Sequence, residues 1–550
     1  MKTLASLALA ALSGVLLPLA LPNEYYAWGN PALGLVCLAP LYLSFLSARG
    51  YRDAFVRGAL FGGLAHGLSS YWLWFFQDFR FWTLGSTVLA YMLVYGALGL
   101  YLYGCLRHGG LYRPLLFAAA WAVFEWSKSN GFLGYPWGLL PYTWNTVLPA
   151  IQIAESTGVY GLGFSLAWIS AALGELAAPV PPPLGAQPVW RRPVAKLGVA
   201  TLGEAGRDSS CHRCLGLGHA AVATVLLLGI LAYGSLALAK DRGTDRTLRA
   251  VIVQQNMDSW SSEGEIKALE VSVALSRRAL AEAQGPADLI LFSETVLRRD
   301  YDDYRHFYRR APLADPLIPF LAEKNLRLLT GAPELFELDG ELEATNSVIL
   351  IGPDGRKEAS YAKMHPVPFA EAIPFWEYAA FRSFMQEAVG LASGWTMGSE
   401  RVIFSVPSAS AGEVRFGAPI CFEDAFSYLC RRFVRDGAEL LINLTNDSWS
   451  MTRSAEIQHY VAAMFRAVEL RRTLVRSTNG GVSAVVLPDG RSAYMLPLFQ
   501  AASVVAEIPV YTGETTPYLA YGDWFPALLA LFLAAAALIL RLRSKEGRRT

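Results

Sequence analysis

Long apolar segments constrain this chain more than any other feature. A helix that crosses a bilayer needs about 20 mainly apolar residues, and eight segments approach that description. They lie near residues 3–21, 31–47, 55–76, 83–106, 114–127, 158–178, 219–239 and 524–540. With 53% hydrophobic residues, the 550-residue chain is also more apolar than an ordinary soluble protein. We therefore predict a polytopic α-helical membrane region of about eight transmembrane helices.

The first apolar segment has two interpretations. Lys2 precedes it, as a basic residue precedes the apolar core of a secretory signal peptide. No clear small-residue cleavage site follows, because the chain continues into Leu19, Ala20, Leu21 and Pro22. A retained helix is favoured over a cleaved signal.

Positive charges predict how the spans are oriented. Arg and Lys are concentrated after the second, fourth, sixth and eighth spans, whereas the connections after the first, third and fifth are poor in them. The positive-inside rule then places both termini in the cytoplasm and residues 247–512 on the opposite face. Lys240, Arg242 and Arg246 run against this assignment, but a long domain translocates largely regardless of its charge.

The segment between the seventh and eighth spans has the pattern of one mixed α/β domain. A helical pattern covers Ala455–Arg472. Strand signals occur at Arg249–Gln255, Asp288–Leu291, Leu326–Pro333, Ser347–Gly355, Val402–Val406, Leu440–Leu444 and Ser483–Leu487. We predict three parts: a membrane domain with seven transmembrane helices at 1–246, an α/β domain at 247–512, and a C-terminal transmembrane helix with a basic tail at 513–550.

One cysteine stands where an apolar run ends. Cys421 follows Phe416–Ile420 and precedes the acidic pair Glu423 and Asp424. A thiol at the point where a buried strand gives way to a turn can meet a substrate while its backbone stays rigid. A lone cysteine in an apolar run is more often a packing residue. The catalytic interpretation therefore requires a base and a cation from elsewhere in the chain.

Two upstream stretches supply those groups. Glu294 lies just past the predicted strand Asp288–Leu291, and Lys363 opens a Pro-rich turn. A carboxylate can remove the thiol proton and return it to a leaving group, because a free thiol has a pKa of about 8.5. A lysine can stabilise the oxyanion of a tetrahedral intermediate together with a backbone N–H near Phe422. We predict Glu294 as base and acid, Lys363 as the oxyanion cation and Cys421 as nucleophile, with no metal and no cofactor.

These three residues resemble the triad of the carbon-nitrogen hydrolase (nitrilase) superfamily. The stretches YAKMHPVPFAE at 361–371, GAPICFED at 417–424, NLTNDSW at 443–449 and RSTNGGVSAVVLPDG at 476–490 resemble the apolipoprotein N-acyltransferase family, the membrane-bound branch of that superfamily. The aromatic loop that contains GYPWG at 134–138 resembles the membrane region of the same family, which soluble nitrilases lack.

The resemblance implies a fold, a reaction and a location. The fold is an α-β-β-α sandwich beside a helical membrane region. The reaction moves an acyl chain from a phospholipid, usually phosphatidylethanolamine, through a cysteine thioester to the N-terminal amine of a diacylglyceryl apolipoprotein. The location is the bacterial cytoplasmic (inner) membrane, with the catalytic domain on the periplasmic or extracytoplasmic face.

The resemblance also marks assisting or substrate-binding positions. Glu371 matches a second acidic position that assists the site, although a plain loop charge explains it equally well. Trp260 matches a tryptophan that borders the active site, against the alternative of a surface aromatic. Phe422, Glu423 and Trp449 occupy neighbouring positions, and the family usually has tyrosine where this chain has Phe422.

Other functions remain open at this stage. A membrane-tethered amidase would use the same triad but pass the acyl group to water. A transporter or scaffold is less consistent with spans that carry few charges. A net charge of +1 gives no reason to expect nucleic acid as a partner. The cysteines are scattered, and Cys211 and Cys214 offer only half of a closed zinc site.

Overall fold

We describe the fold from a computed structural model of the chain. The description covers residues 2–75, 80–178, 204–240, 242–257, 264–294, 296–310, 314–338, 340–368, 370–373, 375–376, 378–389 and 394–546.

The membrane region consists of helices from both ends of the chain. They are α1 (Lys2–Ala20), α2 (Pro31–Val36), α3 (Ala39–Leu46), α4 (Tyr51–Ser69), α5 (Arg80–His108), α6 (Arg113–Lys128), α7 (Leu148–Ile151), α8 (Ala154–Thr157), α9 (Val159–Ala177), α10 (Glu204–Ala239) and, after the α/β domain, α18 (Trp524–Glu546). Among the described residues, three helices are long and apolar enough to cross a membrane: Phe81–His108, Val159–Ala177 and Gly216–Ala239. Shorter apolar helices cover Leu4–Ala20, Pro31–Leu46 and Trp524–Ile539.

Helices cover the predicted spans, with two differences in detail. The second span is divided into α2 and α3, because Pro40 occupies the first turn of α3, a position where proline starts a helix. The helix that contains the seventh span begins at Glu204, but its membrane-length apolar part covers Gly216–Ala239, close to the predicted 219–239.

In the part of the α/β domain that the structure describes, twelve strands occur. They are β1 (Thr247–Gln254), β2 (Leu289–Leu291), β3 (Arg327–Leu338), β4 (Glu341–Ile351), β5 (Lys357–Ala362), β6 (Ile403–Ser408), β7 (Gly412–Gly417), β8 (Leu440–Thr445), β9 (Leu474–Thr478), β10 (Ala484–Val486), β11 (Ser492–Ala493) and β12 (Ala502–Pro509). The helices that accompany them are α11 (Gly264–Glu282), α12 (Tyr301–Arg309), α13 (Ile318–Lys324), α14 (Ala379–Phe384), α15 (Ser427–Arg435), α16 (Arg453–Leu470) and α17 (Pro517–Tyr521).

The strands form two six-stranded sheets that pack face to face. Their orders are β12-β1-β2-β3-β4-β5 and β11-β10-β9-β8-β7-β6. The Ser477 hydroxyl crosses between them and donates to the carbonyls of Val253 and Leu291 at 3.1 and 3.2 Å. Helix α11 covers the first sheet, and α15 and α16 cover the second. The layers are therefore helix, sheet, sheet, helix, as the resemblance implies.

The topology brings strand ends together. Strands β1, β2 and β3 are parallel, as are β7, β8 and β9. In sheets with parallel strands, functional side chains gather beyond the carboxyl ends. Glu294 follows β2, Lys363 follows β5, and Cys421 follows β7.

A buried ion pair joins the α/β domain to the membrane region. Arg471, 1% exposed, follows α16 and donates from Nε to the Glu155 carboxylate on α8. Its Nη1 also donates to Gln152 Oε1 at 2.8 Å. Glu155 is thus a contact between the two regions.

Candidate active site

The structure brings the three predicted triad residues together. Lys363 Nζ lies 3.7 Å from Glu294 Oε1, and both side chains are buried. The charges of Glu294 and Lys363 also act on the Cys421 thiol. Three residues that are far apart in sequence therefore lie close together at the strand ends.

The carboxylate of Glu294 is held at both oxygens. Asn346 Nδ2 on β4 donates to Oε1 at 2.8 Å, and the backbone N–H of Asn446 donates to Oε2 at 2.9 Å. The residue before Glu294 is also fixed, because Ser293 Oγ accepts a 2.6 Å hydrogen bond from Gln255 Nε2. These contacts fix the direction in which the carboxylate points.

Cys421 lies in a strained turn. It opens the 3₁₀ turn Cys421–Ala425 with φ of 49°, in the left-handed region that non-glycine residues rarely adopt. The Asn443 side chain donates to the carbonyls of Pro419 and Cys421, each at 3.0 Å. Such strain persists only where surrounding contacts impose it, and it is concentrated at functional sites.

Burial and charge set the protonation of the triad. Burial raises the pKa of Cys421 well above its usual range, and Glu294 raises it further while Lys363 opposes the rise. Burial also raises the pKa of Glu294, against the lowering effect of Lys363. Burial alone would lower the pKa of Lys363, but the carboxylate of Glu371 and the neighbouring Cys421 and Glu294 raise it above its ordinary value. At neutral pH the resting site therefore holds a thiol beside a permanent cation.

Glu371 contacts the lysine directly. Its Oε1 lies 2.7 Å from Lys363 Nζ and also accepts from Asn346 Nδ2 at 3.2 Å. Its Oε2 accepts from the backbone N–H of Val367 at 2.7 Å. This geometry favours an orienting role for Glu371 over a plain loop charge.

Glu423 fastens two parts of the site to each other. Its carboxylate, fully buried, accepts from the backbone N–H groups of Met364 and His365 at 2.8 and 2.9 Å and of Ile420 at 2.8 Å. The Tyr361 hydroxyl lies 3.0 Å from both oxygens. Glu423 therefore ties the Lys363 turn to the Cys421 turn.

Aromatic rings connect the nucleophile turn to the membrane region. Phe422 stacks on Trp137 of the GYPWG loop, with ring centroids 5.1 Å apart. Trp449 is 37% exposed and packs edge-on against Trp72 at 5.5 Å. Trp260 lies outside the described residues. Trp137 and Trp72 belong to the membrane region, so Phe422 and Trp449 both contact that region rather than the interior of the α/β domain.

The Cys211 and Cys214 pair lies on helix α10, and Cys214 is an exposed free thiol. No group of three or more His, Cys, Asp or Glu residues suited to a metal ion occurs among the described residues.

The sequence alone predicts only part of this site. Asn346 has no local signal, because its role depends on strand β4 passing beside β2 and β3. Asn446 lies inside the NLTNDSW stretch, which marked the segment but not the backbone N–H that Glu294 uses.

Comparison with protein families shows the class of protein to which this chain belongs. The carbon-nitrogen hydrolase family profile matches residues 249–518, and the profile of the apolipoprotein N-acyltransferase N-terminal domain matches residues 13–172. The chain thus combines a carbon-nitrogen hydrolase domain with a membrane region.

Relatives identify the particular family. Apolipoprotein N-acyltransferase 2 of Treponema denticola is 37% identical over 98% of both chains. The corresponding protein of Treponema pallidum is 37% identical over 98% of this chain and 96% of its own, and that of Geobacter metallireducens is 31% identical over 98% and 95%. The chain belongs to the apolipoprotein N-acyltransferase family, as its motifs predict.

Solved structures are more distantly similar. Saccharomyces cerevisiae Nit3, of the nitrilase superfamily, is 16% identical with a TM-score of 0.35 and covers 49% of this chain and 93% of its own. An amidase from Nesterenkonia sp. is 16% identical over 49% of this chain and 94% of its own.

Proposed function

We propose that this protein transfers an acyl chain from a phospholipid to the N-terminal amine of a diacylglyceryl-cysteine apolipoprotein, through a thioester on Cys421. The observation that carries the proposal is the buried cluster of Glu294, Lys363 and the strained Cys421 turn, packed through Phe422 against the membrane-region Trp137. An enzyme whose substrates are lipids needs its nucleophile beside the bilayer.

The first step forms the thioester. Glu294 takes the thiol proton of Cys421, and the sulfur attacks the carbonyl carbon of an acyl ester. Lys363 stabilises the negative charge that develops on the carbonyl oxygen. When the ester C–O bond breaks, Glu294 returns the proton to the leaving oxygen, and a lysophospholipid departs.

The second step forms the amide. The acceptor amine attacks the thioester carbon, Glu294 accepts the amine proton, and the C–S bond breaks as Glu294 passes that proton to the Cys421 sulfur. This step is strongly downhill, so it chiefly requires a well-placed uncharged amine and the exclusion of water. No metal or cofactor takes part in either step.

The membrane arrangement completes the proposal. Eight helices cross the bacterial cytoplasmic membrane, both termini lie in the cytoplasm, and the catalytic domain at 247–512 lies on the periplasmic or extracytoplasmic face. The membrane domain at 1–246 and the C-terminal helix at 513–550 hold that domain at the bilayer surface. Trp260, Glu371, Phe422, Glu423 and Trp449 assist or contact substrate.

A two-stage incubation tests transfer against hydrolysis. Purified protein receives phospholipid first and a diacylglyceryl-cysteine peptide second, and both lysophospholipid and acylated peptide are measured by mass spectrometry. Transfer predicts little free fatty acid before the peptide is added and N-acyl peptide afterwards. A Cys421→Ala control gives neither product. Steady release of free fatty acid without peptide supports the membrane-tethered amidase instead.

A further inference from the structure

Four buried charged residues form a closed ring beneath the nucleophile turn. His459 on α16 contacts Asp447 through Nδ1 at 2.7 Å and Asp424 through Nε2 at 2.9 Å. Arg476 on β9 contacts the second oxygen of each carboxylate, with 3.2 Å to Asp447. Every member is at least nine-tenths buried. The proposed mechanism assigns none of them a role.

The ring connects the two halves of the catalytic site. Asp424 belongs to the Cys421–Ala425 turn. Asp447 follows Asn446, whose backbone N–H donates to Glu294. The centroid of the Trp137 indole lies 5.2 Å from that of the His459 imidazole, and the same indole stacks on the phenyl group of Phe422. A shift of any of these four charged residues would therefore move Cys421 or the Asn446 backbone N–H that orients Glu294.

The charges in the ring balance only if His459 is an imidazolium. Both imidazole nitrogens of His459 face carboxylate oxygens, and both can donate hydrogen bonds only if both carry protons. Burial alone would lower the pKa of His459, but Asp447 and Asp424, opposed by Arg476, raise it to about 9. Two carboxylates then face two cations, so these four residues together carry no net charge.

Glu456 completes the surroundings of the ring. It lies one turn before His459 on α16, and among the described residues neither of its buried carboxyl oxygens has a hydrogen-bond partner. Burial and the charge of Asp447 raise the pKa of Glu456 well above its usual range, which favours the uncharged form of this side chain.

We propose that the ring of Asp424, His459, Asp447 and Arg476 is a positioning element that fixes the Cys421 turn against the Glu294 loop and adds no net charge beside the thiol. The inference rests on the proposed role of Cys421 as nucleophile. It predicts that changes to the ring alter thiol ionisation according to the sign of the charge removed.

Three variants test the sign. The rate of Cys421 alkylation by iodoacetamide at a fixed pH of about 8 follows the thiolate fraction, and a change of one pKa unit alters it about tenfold. We expect His459→Gln, which removes a positive charge, to slow alkylation by at least about threefold. We expect Asp424→Asn to accelerate it by a similar factor, and the double variant to return close to wild type. Equal slowing in all three variants would reduce the ring to a folding role and overturn the proposal.

His306→Gln is the matched control. His306 is exposed on α12, and none of the site residues named above lies on that helix. The same substitution there should leave the alkylation rate within about twofold of wild type. An effect as large as that of His459→Gln would contradict the charge argument.

A measurement on the wild-type protein tests the proposal even if the variants misfold. Nitrogen-15 labelling of histidine should reveal, by NMR at pH 8, one imidazolium with both ring nitrogens protonated, because ordinary histidines are neutral there. A spectrum of neutral rings only would overturn the proposal. Alkylation needs no lipid, so a wild-type protein that forms no acyl-enzyme would reject the proposed function while leaving this result unaffected.

Discussion

At the scale of the residue, the proposed chemistry depends on the protonation of Glu294. Its carboxylate must be ionised to take the thiol proton, yet it is 7% exposed and close to a second acid, Glu371. Lys363 lies between the two acids, 2.7 Å from Glu371 and 3.7 Å from Glu294. The lysine therefore lets two neighbouring acids coexist and remains available to the oxyanion.

Removal of the base should stop acylation without unfolding the protein. Glu294→Gln keeps the hydrogen bond from the Asn446 N–H but cannot accept a proton, so we expect Cys421 acylation to fall about 10²- to 10⁴-fold. The rate of acyl-adduct formation measures this. Glu270→Gln, the same change at an exposed position on α11, should leave the rate unaltered. Retention of most activity in Glu294→Gln would show that another group is the base.

The rate should also depend on pH with a defined sign. Burial raises the pKa of Glu294, so its active, ionised form is lost at a higher pH than for a free glutamate, whose pKa is about 4.3. We expect acylation to rise with pH through a midpoint above that value, in a profile of adduct formation. A midpoint at or below the free value would contradict the proposed environment of the base.

At the scale of the element, the site depends on turns that one buried carboxylate fastens together. Glu423 accepts from the Lys363 turn and from Ile420 ahead of the nucleophile. All of its partners are donors, so a neutral amide cannot satisfy them. Its nitrogen would face a donor wherever the side chain turns.

Glu423→Gln should therefore destabilise the domain. We expect the free energy of unfolding to fall by about 1–3 kcal/mol, the cost of leaving buried donors unpaired, together with slower acylation. Chemical denaturation followed by tryptophan fluorescence would measure it. Glu337→Gln, at an exposed position on β3, should have little effect. Equal stability of the Glu423 variant and wild type would exclude the fastening role.

Sequence patterns predict the elements better than the contacts between them. The apolar runs that end at Glu294 and Cys421 correspond to β2 and β7, because strand burial follows local hydrophobicity. The aim of Glu294 depends on Asn346, whose position is set by the pairing of distant strands. The start of α10 at Glu204 also differs from prediction, because its first turns are too polar to mark a span. Contacts of this kind depend on which distant parts of the chain pack together, and a single sequence does not show that packing.

At the scale of the whole molecule, the α/β domain and the membrane region meet through specific contacts. Trp137 stacks on Phe422, and Arg471 pairs with Glu155. A nucleophile packed against a membrane-region loop suits an enzyme that takes substrates from the bilayer. The proposed topology places this domain on the extracytoplasmic face.

Thiol labelling tests that orientation. Asp354 is exposed in the α/β domain, whereas the native Cys214 lies near the cytoplasmic end of the proposed seventh span. In intact spheroplasts, a membrane-impermeant maleimide should label Asp354→Cys but not Cys214, and lysed cells should show both labelled. Labelling of Cys214 alone in intact spheroplasts would invert the proposed topology.

The most direct test of the central claim is mass spectrometry of the protein after incubation with a phospholipid of defined acyl chains. We predict that the peptide containing Cys421 gains the mass of one acyl chain, that an equal amount of lysophospholipid appears, and that the diacylglyceryl-cysteine peptide removes the adduct. An acyl group on a different residue, or N-acyl peptide formed while Cys421 stays unmodified and replaceable by alanine, would contradict the claim.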